Sequence, residues 1–396
     1  MIDQGTGTLA HARGASNLAS RARGGGGRTI VHLAAEYYPY ARTGGLAEAV
    51  AGLAEQQARD GEAVVVFMPL YPSARATAGD LQPVGPSLVV PLGELREPVR
   101  FLRDAARTHG PEVVFIDAPG YFARSGLYGE DGQDYADNHR RFALFSRAAL
   151  DGIRAAVPGP VLVHAHDWHA AFAPIFMRTS ADLVPTFVDA PAILSVHNAG
   201  YQGHFPPSAM ADLQLPPELW TMDRLEWFGR LNVLKGGIVY ADLVVTVSPS
   251  HAEELCTPEG GFGLDELFRA LGPRLVGITN GIDQSVWSPA TDPEIAANYT
   301  AHDLRGKGEC RAALQRRFGL IPDPSAPIFG MSSRLVKQKG FDLLLQSEFV
   351  QRGPAQFAIL GMGDPGYHVA LRALADALPG RAAVEFRFTE ALVHVV

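Results

Sequence analysis

The chain has 396 residues, and 34 Lys and Arg against 42 Asp and Glu give it a formal net charge of −8. At roughly 100–200 residues per domain, this length predicts two or three domains with large cores, which excludes a disordered chain or a disulfide-stapled miniprotein. An acidic chain without a basic stripe predicts no nucleic-acid binding, the lack of any apolar run near 20 residues predicts no membrane association, and Cys256 and Cys310 alone point to a reducing cytoplasm.

Residues 1–28 hold Arg13, Arg21, Arg23 and Arg28, a run of four glycines and the single acid Asp3. They read as a disordered tail; an Arg-rich transit peptide is the alternative, and the absence of an apolar segment argues against a secretory signal. Ile30–Ala35 then reads as a buried strand, Leu46–Arg59 as a helix and Val64–Phe67 as the next strand. This is the β-loop-α-β unit of a doubly wound parallel sheet. Short apolar strands are predicted at Val113–Ile116, Val161–Val163, Ala192–Val196, Leu243–Val247 and Leu275–Ile278, with helices at Asn138–Ala155 and Phe228–Tyr240. Residues 29–288 thus form a first α/β domain. Residues 289–326, with Pro289, Pro293, Pro322 and Pro324, read as a linker holding a helix around Glu309–Phe318. A second α/β run occupies 327–396: strands Ile328–Ser332, Gln356–Leu360 and Ala383–Phe388 with helices Phe341–Phe349 and Tyr367–Leu378. It is short of the ~100–150 residues typical of a domain and is expected to be partial.

Chemistry-bearing residues cluster after strands. In Glu36–Leu46 the pair Gly44-Gly45 at a helix start lets exposed N–H groups approach an anion, and Arg42 adds a charge. A plain Gly-rich turn explains that loop equally well, since neither a P-loop nor a dinucleotide fingerprint is present. His164-Ala-His166-Asp167-Trp168-His169 ends a strand and opens a helix. Three His and an Asp invite a metal, but no H-E-x-x-H pair or Cys cluster accompanies them, and no metal is expected. Asp167 is suited to cap the following helix, and it also stands at the ligand-binding edge of an open sheet. His197 stands at another strand end, in Ser195–Gly203, and Asn280-Gly281 at a third. Arg334–Gly340 brings Arg334, Lys337 and Lys339 to a strand end before a helix, which suits a diphosphate, with a solvated basic turn as the alternative. Lysine is otherwise scarce: Lys235, Lys307, Lys337 and Lys339 are the four in the chain, so a Lys retained against this Arg bias points to a need for a compact ammonium, with chance as the alternative for Lys307 and Lys337. Gly361–Gly366 with Glu385 imitates a nicotinamide-dinucleotide fingerprint, although Asp364 would repel a pyrophosphate and Pro365 removes a donor. An NAD enzyme is therefore the weaker alternative.

Together these motifs resemble the bacterial glycogen synthase and plant starch synthase family, ADP-glucose-dependent retaining glucosyltransferases. The matching segments include Arg42–Leu46, Tyr135–Asn138, His164–His169, His197–Gly203, Leu234–Gly237, Asn280–Asp283, Arg334–Gly340 and Leu360–Asp364. The resemblance implies a GT-B-like fold of two Rossmann-type doubly wound parallel-sheet domains, the second incomplete. It implies ADP-glucose as donor, the non-reducing end of an α-1,4-glucan such as glycogen as acceptor, and no cofactor or metal. Arg42, at the family's Lys position, and Gly45 would contact the donor, with Asn280, Arg334 and Lys339. His197 would hold the transferred glucose, Asp167 would lie beside the reacting centre, and Glu36 and Tyr128 would line the glucan side. Family members continue through a Pro-Ser-Arg-Phe-Glu-Pro-Cys-Gly-Leu segment and a Thr-Gly-Gly-Leu loop that this sequence does not contain. C-terminal truncation is therefore expected, and an inactive glucan-binding remnant is the alternative to an enzyme.

Overall fold

The computed structural model describes residues 27–396 except Asp131 and Phe388, so the disordered tail expected over 1–28 lies, but for its last two positions, outside the described residues. The chain divides into two compact units, Met1–Gly281 and Ile282–Val396.

The first unit is built on a ten-stranded sheet. Its parallel strands are β1 (Thr29–Leu33), β2 (Val64–Pro69), β3 (Glu112–Asp117), β4 (Val161–His166), β5 (Ala192–Val196), β6 (Leu243–Thr246) and β7 (Leu275–Gly277), in the spatial order β7-β6-β5-β4-β1-β2-β3. Beyond β3 the antiparallel strands Leu95–Asp104, Leu81–Pro83 and Leu88–Leu92 extend the edge. All six positions of β2 are buried, as expected of a parallel strand covered on both faces. The helices α1 (Leu46–Arg59) and α2 (Asn138–Ala156) show two kinds of burial. On α1 the buried positions are Ala47, Val50, Ala51 and Ala54, one stripe at helical spacing. On α2 every residue from Arg141 to Ile153 is buried, so its polar side chains need internal partners. Arg147 finds Asp151 one turn on at 3.0 Å, and Arg141 is described with the site below.

After β4 come α3 (Asp167–Ala170) and α4 (Phe172–Thr179), and before β6 comes α5 (Val233–Tyr240). The helix expected over Phe228–Tyr240 is shorter at its start. Phe228 (φ 47°) and Gly229 (φ 73°) make a left-handed turn joining strands Glu226–Trp227 and Arg230–Asn232, and Asn232 then caps α5 by accepting from the Lys235 N–H at 2.9 Å. The Lys235 ammonium reaches back to the carbonyls of Met222 and, at 2.6 Å, Glu226. A compact ammonium fits between two carbonyls where a planar guanidinium would not, which explains this one retained lysine. A Cβ on Gly237 would lie 2.6 Å from the Ala171 Cβ, so glycine there permits close packing of α5 on the chain between α3 and α4.

In the second unit α6 (Arg305–Phe318) precedes three parallel strands, β8 (Ile328–Ser332), β9 (Gln356–Leu360) and β10 (Ala382–Glu385), in the order β8-β9-β10. A core of Leu335, Phe341, Phe357, Ile359 and Leu371 packs against them. The helix expected over Phe341–Phe349 is broken at Ser347, whose extended backbone separates Phe341–Gln346 from Glu348–Arg352. Strand β10 ends at Glu385, whose carboxylate pairs with Arg317 at 2.7 Å, three residues before the expected end; Phe388 lies outside the described residues.

Candidate active site

In the first unit the strand order reverses at β1: the chain proceeds to β2 on one side and later returns to β4 on the other. The carboxyl ends of strands at such a switch point form the crevice where open α/β sheets bind ligands. Glu36 follows β1, Asp167 follows β4 and His197 follows β5, so the fold gathers these three from distant parts of the sequence at neighbouring strand ends.

Glu36 is 3% exposed and its carboxylate is fully engaged. Oε1 accepts from the Tyr128 hydroxyl at 2.6 Å and from Thr43 Oγ1 at 2.7 Å, while Oε2 accepts from the Thr43 N–H at 2.5 Å. Burial pushes the Glu36 carboxyl up, and these donors oppose the rise. One carboxylate thus joins the Gly-rich loop to Tyr128, whose ring stacks on His169 with centroids 4.4 Å apart. The segment bearing Tyr128 is held in turn by Arg141. That fully buried guanidinium donates to the Tyr121 and Leu127 carbonyls at 2.7 and 2.9 Å and to Asn138 Oδ1 at 2.7 Å. Arg141 was not indicated by its sequence pattern: a buried Arg on a helix looks like any surface cation until its partners are known.

Asp167 corrects an expectation. It does not cap its own helix; its Oδ1 instead accepts from the His197 N–H at 2.7 Å, across to the end of β5. Its backbone is left-handed, φ 55°, an uncommon conformation for a residue with a side chain and one that concentrates at functional sites. Burial raises the Asp167 carboxyl and lowers the His197 imidazole. Arg42 pairs with Glu48 at 3.0 Å on the surface and its guanidinium lies over the Tyr38 ring. Gly45 caps α1 with an ordinary αR backbone and open space where a Cβ would stand, so the loop has room for a ligand rather than a need for positive φ. Asn280 is exposed beyond the end of β7.

Arg334 and Lys339 belong to the second unit. Both are exposed after β8, and neither forms an ion pair among the described residues. The dinucleotide-like loop has three of its N–H groups occupied close by: Gly363 N donates to His368 Nε2 at 3.2 Å, Asp364 N to the Leu335 carbonyl, and Gly366 N to Asp364 Oδ1 at 2.6 Å. Asp364 is a helix cap, and this loop offers no cradle for a pyrophosphate.

His32, His164 and His166 bring ring nitrogens within 4.8 Å of one another. A tetrahedral zinc with ligand bonds of ~2.0–2.1 Å would hold its nitrogens about 3.3 Å apart. His32 Nδ1 and His166 Nε2 stand at 2.9 Å instead, a hydrogen-bond distance, and His164 Nε2 is taken by Ser195 Oγ at 2.8 Å. Stacking of the His164 and His166 rings, 26° from parallel, also keeps their in-plane lone pairs from converging on one ion. His32 gave no sequence signal, being one polar residue in an apolar strand.

No helix of the described residues is long and apolar enough to cross a membrane. The starch synthase catalytic domain family matches residues 29–270. The chain is 39% identical over 376 residues to the glycogen synthase of Opitutus terrae, covering 93% of this chain and 77% of that protein. With the glycogen synthase of Koribacter versatilis it shares 40% identity over 370 residues, 93% of this chain and 75% of that one. The solved catalytic domain of starch synthase IV from Arabidopsis thaliana, bound to ADP and acarbose, matches with a TM-score of 0.83 at 32% identity, over 94% of this chain and 76% of that one. With this breadth of sequence and structural likeness, the chain belongs to the glycogen and starch synthase family of glycosyltransferases, with their GT-B fold.

Proposed function

We propose that the chain transfers glucose from ADP-glucose to the non-reducing end of an α-1,4-glucan, with retention of anomeric configuration. The observation that carries this reading is the gathering of Glu36, Asp167 and His197 at the switch point of the first sheet, in a chain related to glycogen synthases and to a starch synthase seen with ADP and acarbose. In this reading the N–H of Gly45 and the guanidinium of Arg42 meet the donor phosphates. Arg42 would exchange its exposed partner Glu48 for the phosphate, a change that costs little because such surface pairs contribute ~0–1 kcal/mol. Arg334 and Lys339 neutralise the charge that develops on the departing ADP, where a well-placed donor is worth roughly 3–4 kcal/mol of barrier. His197 and Asn280 hold the transferred glucose, with Asp167 beside the reacting centre. Glu36 has spent its oxygens on Thr43 and Tyr128, so it shapes the glucan side by holding them rather than by acting as a free base. The charge balance at the leaving group requires neither metal nor organic cofactor, and the setting is the cytoplasm.

The test is incorporation of labelled glucose from ADP-glucose into glycogen, with UDP-glucose as the competing donor. Transfer from ADP-glucose, falling about a hundredfold in Arg334→Ala, supports the reading. No incorporation at high protein concentration, with glycogen co-sedimentation retained, would leave a glucan-binding protein without turnover.

A further inference from the structure

A row of hydrogen-bonded side chains runs through the first unit from α1 to the candidate site. Gln57 Oε1 lies 2.8 Å from His32 Nε2, His32 Nδ1 lies 2.9 Å from His166 Nε2, and His166 Nδ1 lies 3.1 Å from His197 Nε2. His32 and His166 are 0% and 1% exposed. Burial lowers all three imidazoles, His32 to about 4, so they are neutral at pH 7.

A neutral imidazole carries one N–H and one lone pair. A chain of such rings therefore runs in one of two directions, and the group at its end decides which. An amide oxygen only accepts. With Gln57 Oε1 at the end, His32 donates from Nε2, so its Nδ1 accepts from His166 Nε2–H, and His166 Nδ1 accepts from His197 Nε2–H. The nitrogen left over on His197 is Nδ1, as a lone pair. It takes no hydrogen bond among the described residues, and the His197 side chain is partly exposed at the end of β5. Were Gln57 to present its NH₂ instead, every bond in the row would reverse and His197 would offer an N–H.

We propose that Gln57, acting through His32 and His166, is a positioning residue that fixes His197 as the Nε2–H tautomer, so that Nδ1 meets the transferred sugar as an acceptor for one of its hydroxyls. The contact with sugar rests on the function proposed above; the direction of the row does not. A hydroxyl can donate to a lone pair or accept from an N–H, but only one arrangement suits a given pose, so a mixed population of His197 tautomers lowers turnover. Gln57 itself is partly buried and stands three hydrogen bonds from His197 along the row, so it is not among the groups given contact with the sugar.

The full chain, labelled with ¹⁵N-histidine, reports its tautomers directly in long-range ¹H–¹⁵N spectra, assigned by single His→Gln variants. Nε2–H signals are expected for His32, His166 and His197. Gln57→Glu keeps an acceptor and should keep both the tautomers and turnover. Gln57→Met should give mixed tautomers at His197 and a kcat about tenfold lower, the factor that one hydrogen bond carries, with the KM for glucan unchanged. A wild-type spectrum with His197 as Nδ1–H overturns the proposal without any variant, as does Gln57→Met with tautomer and kcat both unaltered. Unimpaired transfer by His197→Ala would refute its contact with sugar, and with it the functional role given to the row, while the wild-type spectrum still decides the direction of the hydrogen bonds.

Discussion

Replacing Tyr128 with Phe removes one hydroxyl from the carboxylate that joins two loops of the site and leaves the ring that stacks on His169 in place. A hydrogen bond to a buried charged group contributes about 1.5–3 kcal/mol, and Glu36 is 3% exposed, so water does not replace the lost donor. At roughly 2–4 °C per kcal/mol for a unit of this size, the melting temperature should fall by about 3–12 °C. The pH dependence has a definite sign. Burial raises the Glu36 carboxyl above its ordinary range while the Tyr128 hydroxyl opposes that rise, so the variant raises it further. Between the unfolded and the raised folded values the folded state binds more protons, and stability falls as pH rises through that window. The loss in Tyr128→Phe should therefore be larger at pH 7.5 than at pH 4.5. Calorimetric melts of both variants in a cycle with Glu36→Gln measure the coupling. A fall of less than about 1 °C at neutral pH, or an equal fall in the Glu36→Gln background, would refute the assignment of Glu36 as the joint between Tyr128 and Thr43.

Other outcomes follow from packing and titration. Burial lowers the His169 imidazole to about 3, so the unfolded chain takes up its proton first as pH falls below the usual His range; His169→Phe should flatten the loss of stability between pH 6.5 and 4, by up to about 1.4 kcal/mol per pH unit. Arg140 and His139 hold Asp212 down to about 2; because the pair is solvent-screened, Asp212→Asn should cost about 1 kcal/mol in chemical denaturation at pH 7, with the difference disappearing as pH falls from 4 towards 2. Gly237→Ala places a Cβ 2.6 Å from that of Ala171 and should cost about 1–3 kcal/mol, whereas Gly52→Ala, mid-helix with nothing within 4 Å, should add about 0.5–1 kcal/mol.

The parallel strands were legible because β1, β2 and β4 are short apolar runs between loops, as strands covered on both faces must be. The ordered loop motifs were legible because strand ends are where such a sheet places its ligands. What escaped the sequence depends on distance through space. His32 and Gln57 are 25 residues apart, and His32 and His166 are 134 apart. Their importance exists only once β1 and β4 pair in register, His32 beside His164. Asp167 looked like a cap because its spacing from a helix start is that of a cap; its left-handed backbone turns the carboxylate to the next strand instead. Likewise the apolar run before Tyr240 concealed a hairpin, because Phe228 at positive φ is not something propensity suggests.

Extension of maltohexaose by labelled ADP-glucose, followed by β-amylase digestion of the product, reads donor, linkage and growing end in one experiment. Glucose transfer as proposed predicts chains one unit longer, their label released wholly as maltose from the non-reducing end, and incorporation abolished in His197→Ala. No extension by the wild-type chain, or label that β-amylase cannot release, would contradict it.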